Sequence, residues 1–319
     1  MRIWQKVTVS AIGLVVIGIL LPWGDVRRAL VALDPSIWPL VLLGFVAGHG
    51  AGVFKWRLFI STGRAMLRPI EAVRCYSAGL FANLCLPSIV GGDVLRMAMA
   101  GRLSGEPEGA LWGGILDRLT DVLALILLII AGSMATQQSL PEAQARLLGG
   151  GLLLAASLGA ATLYLIGRTP LSRWPRRLRR PVARSLIAVR RLSRRPGVAV
   201  LGLILSLSIQ GSFVLLNAQL GAAIGIDVPL AVWFLAWPLA KFAGLLPISL
   251  GGLAVREASL AGVLSPFGVP FSMGVLTSLL WQTVLIAGGL MGGATWFLLT
   301  RRDQQGGLIP TLFPRRKHG

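Results

Sequence analysis

Histidine and cysteine are nearly missing from this chain, with two of each in 319 residues. Cys75 and Cys85 lie ten residues apart on an expected helix, about 15 Å by helical rise, so they do not bridge. No disulfide framework can be built from them. With His49 and His318 as the only imidazoles, no zinc motif can be written. No Walker A, G-x-S-x-G or G-x-G-x-x-G fingerprint stands in usable context, so no cofactor and no ATP-driven transport by this chain alone are expected. Acidic residues are also sparse: 12 Asp+Glu stand against 31 Lys+Arg, for a net charge of +19.

What fills the chain is apolar. Hydrophobic residues make up 55% and charged residues 13%, against about 25% charged in a typical soluble domain. Mean hydropathy is +0.74. So few charges cannot cover a soluble surface, which excludes secreted scaffolds, soluble enzymes and disordered tails. The fold class is an all-α polytopic membrane protein. Runs long enough for a span of about 20 residues are Val7–Trp23, Ile37–Ile60, Gly109–Met134, Leu147–Ile166, Val198–Leu220 and Phe271–Leu299. The first has no small-x-small cleavage site close behind it and reads as an uncleaved helix. The second ends in Lys55, Trp56 and Arg57, read as an interfacial set.

Two apolar regions fit no simple span. Glu71–Leu103 is broken by Pro87 and Gly91-Gly92; Leu230–Leu264 is broken by Pro247 and Gly251-Gly252. Each half is short for about 30 Å of hydrocarbon. A re-entrant hairpin fits better, since irregular backbone survives at that depth only where protein or a polar cavity covers it. The expectation is six full spans plus two re-entrant helical hairpins.

Loop charge sets the orientation. Lys55, Arg57, Arg64, Arg68 and Arg74 fall within residues 55–74, and Arg168–Arg195 carries eleven arginines and no acid. Arg301, Arg302, Arg315, Arg316 and Lys317 follow the last run. Loops 135–144 and 221–229 hold no Lys or Arg, while loop 24–36 mixes Arg27 and Arg28 with Asp25 and Asp34. Basic segments on the cytoplasmic side put both termini there, in the cytoplasmic membrane. A nucleic-acid reading of the arginine run is set aside: it reads as a topogenic loop that also meets anionic headgroups.

The broken regions repeat one another. Leu86-Pro87, Gly91-Gly92 and Arg96 recur as Leu246-Pro247, Gly251-Gly252 and Arg256, at a constant offset of 160. Composition alone predicts the pattern P-x3-GG-x3-R about 0.02 times in such a chain. The chain therefore divides into a transmembrane domain over 1–300, built of inverted repeats about 1–135 and 145–300 with the basic loop 168–196 inside the second, and a basic tail over 301–319. In inverted-repeat transporters, broken helices hold the substrate near the midplane. Proline ends the descending half-helix, glycine permits close approach to a ligand, and the returning half offers N–H donors to an anion. Arg96 and Arg256 stand about one turn beyond each glycine pair, placed to suit the phosphate of a lipid headgroup. The bland alternative is a structural hairpin with the arginines snorkelling or paired.

Ionisable residues inside such a bundle are candidates for function. Asp93 and Arg96 are i, i+3; Asp117 and Asp121 are i, i+4 around Arg118; Glu257 adjoins Arg256. Four acids and three arginines can also neutralise one another as a purely structural network. Lys241 is a weaker candidate, and His49 reads as a packing histidine.

Ala82–Arg96 (ANLCLPSIVGGDVLR), Leu116–Asp121 (LDRLTD) and Leu246–Glu257 (LPISLGGLAVRE) resemble the lysylphosphatidylglycerol synthase transmembrane, or flippase-like, family over residues ~5–300. The family usually has Glu-Arg where this chain has Asp117-Arg118, which keeps the charge and shortens the reach. The resemblance implies a membrane domain that flips aminoacylated phosphatidylglycerol, fused in the best-known members to a cytoplasmic synthase. About 20 residues follow the last run here, so a stand-alone member is expected and aminoacyl transfer is not carried over. The resemblance also implies a central site of Gly91, Gly92, Asp93, Arg96, Asp117, Arg118, Gly251, Gly252, Arg256 and Glu257; Asp121 joins it by position on the helix.

The reading that follows is a translocase for an anionic phospholipid or lipid-linked headgroup, with membrane lipids as partners and no metal. Its rivals are an integral lipid-modifying enzyme, with Asp117 or Glu257 as general base, and an accessory subunit for an envelope-biosynthesis enzyme docking on Arg168–Arg195. Oligomeric state is left open by the sequence.

Overall fold

A computed structural model of the chain describes residues 15, 19, 23–32, 34–86, 91–136, 195–245 and 254–305. All nine helices among them are α: α1 (Trp23–Ala32), α2 (Ile37–Thr62), α3 (Pro69–Cys85), α4 (Gly91–Ser104), α5 (Pro107–Thr136), α6 (Pro196–Ala223), α7 (Leu230–Leu245), α8 (Val255–Leu264) and α9 (Phe271–Gln305). A 3-10 turn, Ser265–Phe267, links the last two. The described residues contain no strand.

Four of these helices are long and apolar enough to cross a membrane: α2, α5, α6 and the Phe271–Arg301 portion of α9. They match four of the six expected spans. The expected spans Val7–Trp23 (apart from Val15, Ile19 and Trp23) and Leu147–Ile166 lie outside the described residues, as do Pro87, Pro247, Gly251, Gly252, nearly all of Arg168–Arg195, and residues 306–319 of the tail.

Both broken regions are pairs of short helices: 17 and 14 residues in α3 and α4, 16 and 10 in α7 and α8. Glu71 caps the start of α3, its Oε2 accepting from the Arg68 N–H at 2.7 Å. Helix α4 runs antiparallel to α3, so that Gly91 meets Leu86, Gly92 meets Asn83 and Gly79, and Arg96 meets Gly79. A Cβ on Gly92 would sit 2.1 Å from the Gly79 carbonyl oxygen. That contact is with backbone and cannot be relieved by a rotamer change, so only glycine lets the two half-helices touch.

Helix packing interchanges between the two halves of the chain. Pairing α2 with α6, α3 with α7, α4 with α8 and α5 with α9 sends each major contact onto another. The α3 face against α9 corresponds to α7 against α5, α3–α4 to α7–α8, and α4–α5 to α8–α9, while α2 on α6 maps onto itself. Helix boundaries repeat at about the 160-residue offset of the motif. Gly132 on α5 shows what such contacts require: a Cβ there would lie 2.5 Å from the Leu235 amide nitrogen of α7.

Apolar burial forms two clusters. The larger gathers Phe45, Phe213, Leu220, Trp233, Trp237, Leu260 and Trp281 across α2, α6, α7, α8 and α9. The smaller gathers Trp56, Ile60, Ala72, Cys75, Ala78 and Met99 around the α3–α4 pair. Much large apolar surface also points outward, including Leu43, Phe54, Ile204, Leu290 and Leu298, as lipid-facing helices require.

Three expectations are corrected. Residues 24–36 were expected as a loop, yet Trp23–Ala32 is helical and packs on α9, with Val26 buried to anchor it. Lys55 and Trp56 were expected at an interface, yet they are 2% and 0% exposed. Helix α2 runs on to Thr62 and ends at Gly63, which leaves Lys55 about 10 Å inside its end. Arg74, expected among the loop cations, is likewise buried on α3.

Candidate functional site

Helices α2, α4, α5 and α6 converge on a cluster of six charges. The i, i+4 spacing of Asp117 and Asp121 aims both carboxylates at one cation, Lys55 of α2. Its Nζ lies 3.0 Å from Asp117 Oδ1 and 2.5 Å from Asp121 Oδ1. Ser206 of α6 completes the contact, accepting from Lys55 at 2.9 Å and donating to Asp121 at 3.1 Å.

Arg96 of α4 closes the other side. Its Nη2 lies 3.1 Å from Asp93 Oδ1 and 2.9 Å from Asp117 Oδ2. The guanidinium sits over the Trp56 and Tyr76 rings, 5.3 and 4.9 Å from their centroids, an arrangement that favours a partly desolvated cation. Arg118 pairs with Asp93 and lies 3.5 Å from Asp121 Oδ2. Three acids therefore face three cations, and the cluster is neutral.

Exposure separates the members. Lys55, Arg96 and Asp117 have side chains 3% exposed, whereas Arg118 keeps 49% of its side-chain surface open. Arg118 is thus the most open member of the cluster.

The second half carries a smaller site. Arg256 donates to Glu257 Oε1 at 2.6 Å, to Gln282 Oε1 at 2.8 Å and to Ser278 Oγ at 3.3 Å. Glu257 is fully buried. Among the described residues, no hydrogen bond or ion pair links Arg256 or Glu257 to the cluster around Asp117. The expected residues thus fall into two groups: Asp93, Arg96, Asp117, Arg118 and Asp121 together, Arg256 and Glu257 apart.

Gly91 and Gly92 open α4, but the Gly92 N–H is taken by Asn83 Oδ1 at 3.0 Å. That glycine closes the hairpin; its amide is not a free donor for a ligand. Gly251 and Gly252 lie outside the described residues. His49 is a packing residue, as expected: it lies against Phe45 and Phe213 and shares a 3.1 Å hydrogen bond with the Tyr76 hydroxyl.

Sequence reasoning missed Lys55, Ser206, Gln210, Ser278 and Gln282. Lys55 could have been found, because Leu58, Phe59 and Ile60 continue the apolar run beyond it and place it inside the helix. The neutral residues carry no such signal; only packing selects them from the other polar side chains. Among the described residues no group of three or more His, Cys, Asp or Glu is placed to hold a metal.

Membrane-spanning helices around a neutral ion cluster define a helical membrane protein with a polar interior. The chain belongs to the family described as the lysylphosphatidylglycerol synthase TM region, whose model matches residues 3–293. That family is a membrane domain linked to lipid handling. Neither a search of curated proteins nor one of solved structures returns a match.

Proposed function

We propose that this protein is a translocase for an anionic phospholipid or lipid-linked headgroup in the cytoplasmic membrane. The observation that carries the reading is Arg118: half open, yet tied to a charge cluster inside an apolar bundle. Charges in such a place are costly and are kept where a polar substrate passes. Asp93, Asp117 and Asp121 hold the cations while the site is empty, and a phosphate competes for Arg118. In the second half, Glu257 holds Arg256 in the same manner.

The interchangeable helix pairings support two inverted repeats, with the α3–α4 and α7–α8 pairs as re-entrant hairpins entering from opposite sides. Opposed hairpins around a polar centre suit alternating access by rocking one repeat against the other. The basic loop and tail then face the cytoplasm.

The test is leaflet exchange of labelled phosphatidylglycerol in proteoliposomes. Arg118→Gln keeps the length and removes the charge at the most open position of the cluster. Exchange is expected to fall about tenfold or more, the scale of one lost charge-assisted contact. Exchange equal to that of the unaltered protein would remove Arg118 from the pathway. No exchange by either protein, with and without a pH gradient, would overturn the translocase reading.

A further inference from the structure

Six charges around α5 cancel, and so do Arg256 and Glu257. Lys241 does not. Its Nζ donates to Gln210 Oε1 at 2.7 Å and stands 5.7 Å from the Phe213 ring centroid. Among the described residues no carboxylate pairs with it. It is partly buried on α7, an apolar helix in which it is the only charged residue.

Its position ties it to the ion cluster. Gln210 stands four residues beyond Ser206 on α6, so both side chains share one face about one turn apart. Ser206 binds Lys55 and Asp121; Gln210 binds Lys241. Lys241 lies within electrostatic reach of Asp121, Arg118 and Lys55. Ser206 and Gln210 thus place the ion cluster and Lys241 against one face of α6, about one turn apart.

The donors at its end are in surplus. An ammonium has three hydrogens, and Gln210 accepts one through Oε1. That orientation leaves the Gln210 amide hydrogens as donors beside the remaining ammonium hydrogens. Asp121 is already held by Lys55 and Arg118, and among the described residues Lys241 has no carboxylate of its own; such a site with spare donors selects an anion. Desolvating the ammonium without a directly paired counter-charge is unfavourable, so the empty site is poised to gain when an anion supplies one. One negative charge carried on several acceptor oxygens, as in a phosphodiester, fits this pair.

We propose that Lys241 and Gln210 form the seat for the phosphate of an anionic phospholipid, one helical turn along α6 from the ion cluster. This rests on the translocase reading for the source of the phosphate. It differs in placing the anion on a residue outside both carboxylate-held arginine groups.

The test uses the full chain, purified in neutral detergent, with thermal unfolding as the first readout. Phosphatidylglycerol is expected to raise Tm of the unaltered protein, while diacylglycerol, which lacks the phosphate, is not. Lys241→Gln is expected to leave lipid-free Tm unchanged or higher, because an unbalanced charge has been removed. The same variant is expected to lose the phosphatidylglycerol shift, with about tenfold weaker apparent binding, and Lys241→Arg to keep it. An undiminished lipid shift in Lys241→Gln overturns the proposal. So does a large fall in lipid-free Tm, which would make Lys241 a structural residue. Inorganic phosphate giving as large a shift as the lipid would assign the seat to free phosphate and overturn the lipid assignment. Leaflet exchange separates the two readings. A Lys241-dependent shift without any exchange leaves the seat and removes the translocase, whereas exchange with a Lys241-independent shift does the reverse.

Discussion

Arg96 Nη2 lies 2.9 Å from Asp117 Oδ2, joining the returning half of the first broken region to the helix that follows it. The same nitrogen reaches Asp93 on its own helix, and Trp56 and Tyr76 flank the guanidinium. Its position therefore depends on α2, α3, α4 and α5 being packed together.

Arg96→Lys tests the value of that arrangement. The charge stays, but the planar group that spans two carboxylates and stacks on two rings is lost. We expect a loss of about 1–3 kcal/mol of stability, read as a lower unfolding temperature in detergent.

Lys55→Met examines the centre of the cluster. It removes the cation that Asp117 and Asp121 share and leaves buried negative charge without that partner. Removing one partner of a buried pair costs about 3–5 kcal/mol. Adding Asp121→Asn restores part of the balance, so the double variant should unfold at a higher temperature than Lys55→Met alone. A double variant less stable than either single change would show that the ion pair is not what couples the two positions.

Gly92→Ala addresses the hairpin. The new methyl meets the Gly79 carbonyl oxygen, so α3 and α4 must move apart. The two thiols report this directly, since Cys75 is buried in the cluster around α3 and α4 while Cys85 is exposed. N-ethylmaleimide should modify Cys85 alone in the unaltered protein and both thiols in Gly92→Ala. Protection of Cys75 in that variant would mean that the contact is absorbed without separation.

Much of this fold was legible as a pattern. Apolar runs mark α2, α5, α6 and α9, because a helix in hydrocarbon must satisfy its own backbone and present apolar side chains outward. Pro and Gly-Gly mark the breaks, since one removes a helical donor and the other tolerates close backbone approach. Asp117 and Asp121 were legible as one face from their spacing. Arg96 and Arg256 were legible as equivalent positions from the repeat.

Partnership was not legible. Lys55 follows an apolar run, as an interfacial lysine does, and its sequence neighbours do not reveal Asp117, 62 residues away. The two arginines of the repeat take different partners: Arg96 binds acids from two helices, Arg256 its own neighbour and Gln282. Gln210 is one amide among several until α7 places Lys241 against it. Sequence by itself determined the membrane class, the two broken helix pairs and five of the six charges of the cluster, because each follows from local chemistry and periodicity. Tertiary structure alone decided which of these charges pair and with what, because a helix fixes the direction of a side chain but not what lies opposite it.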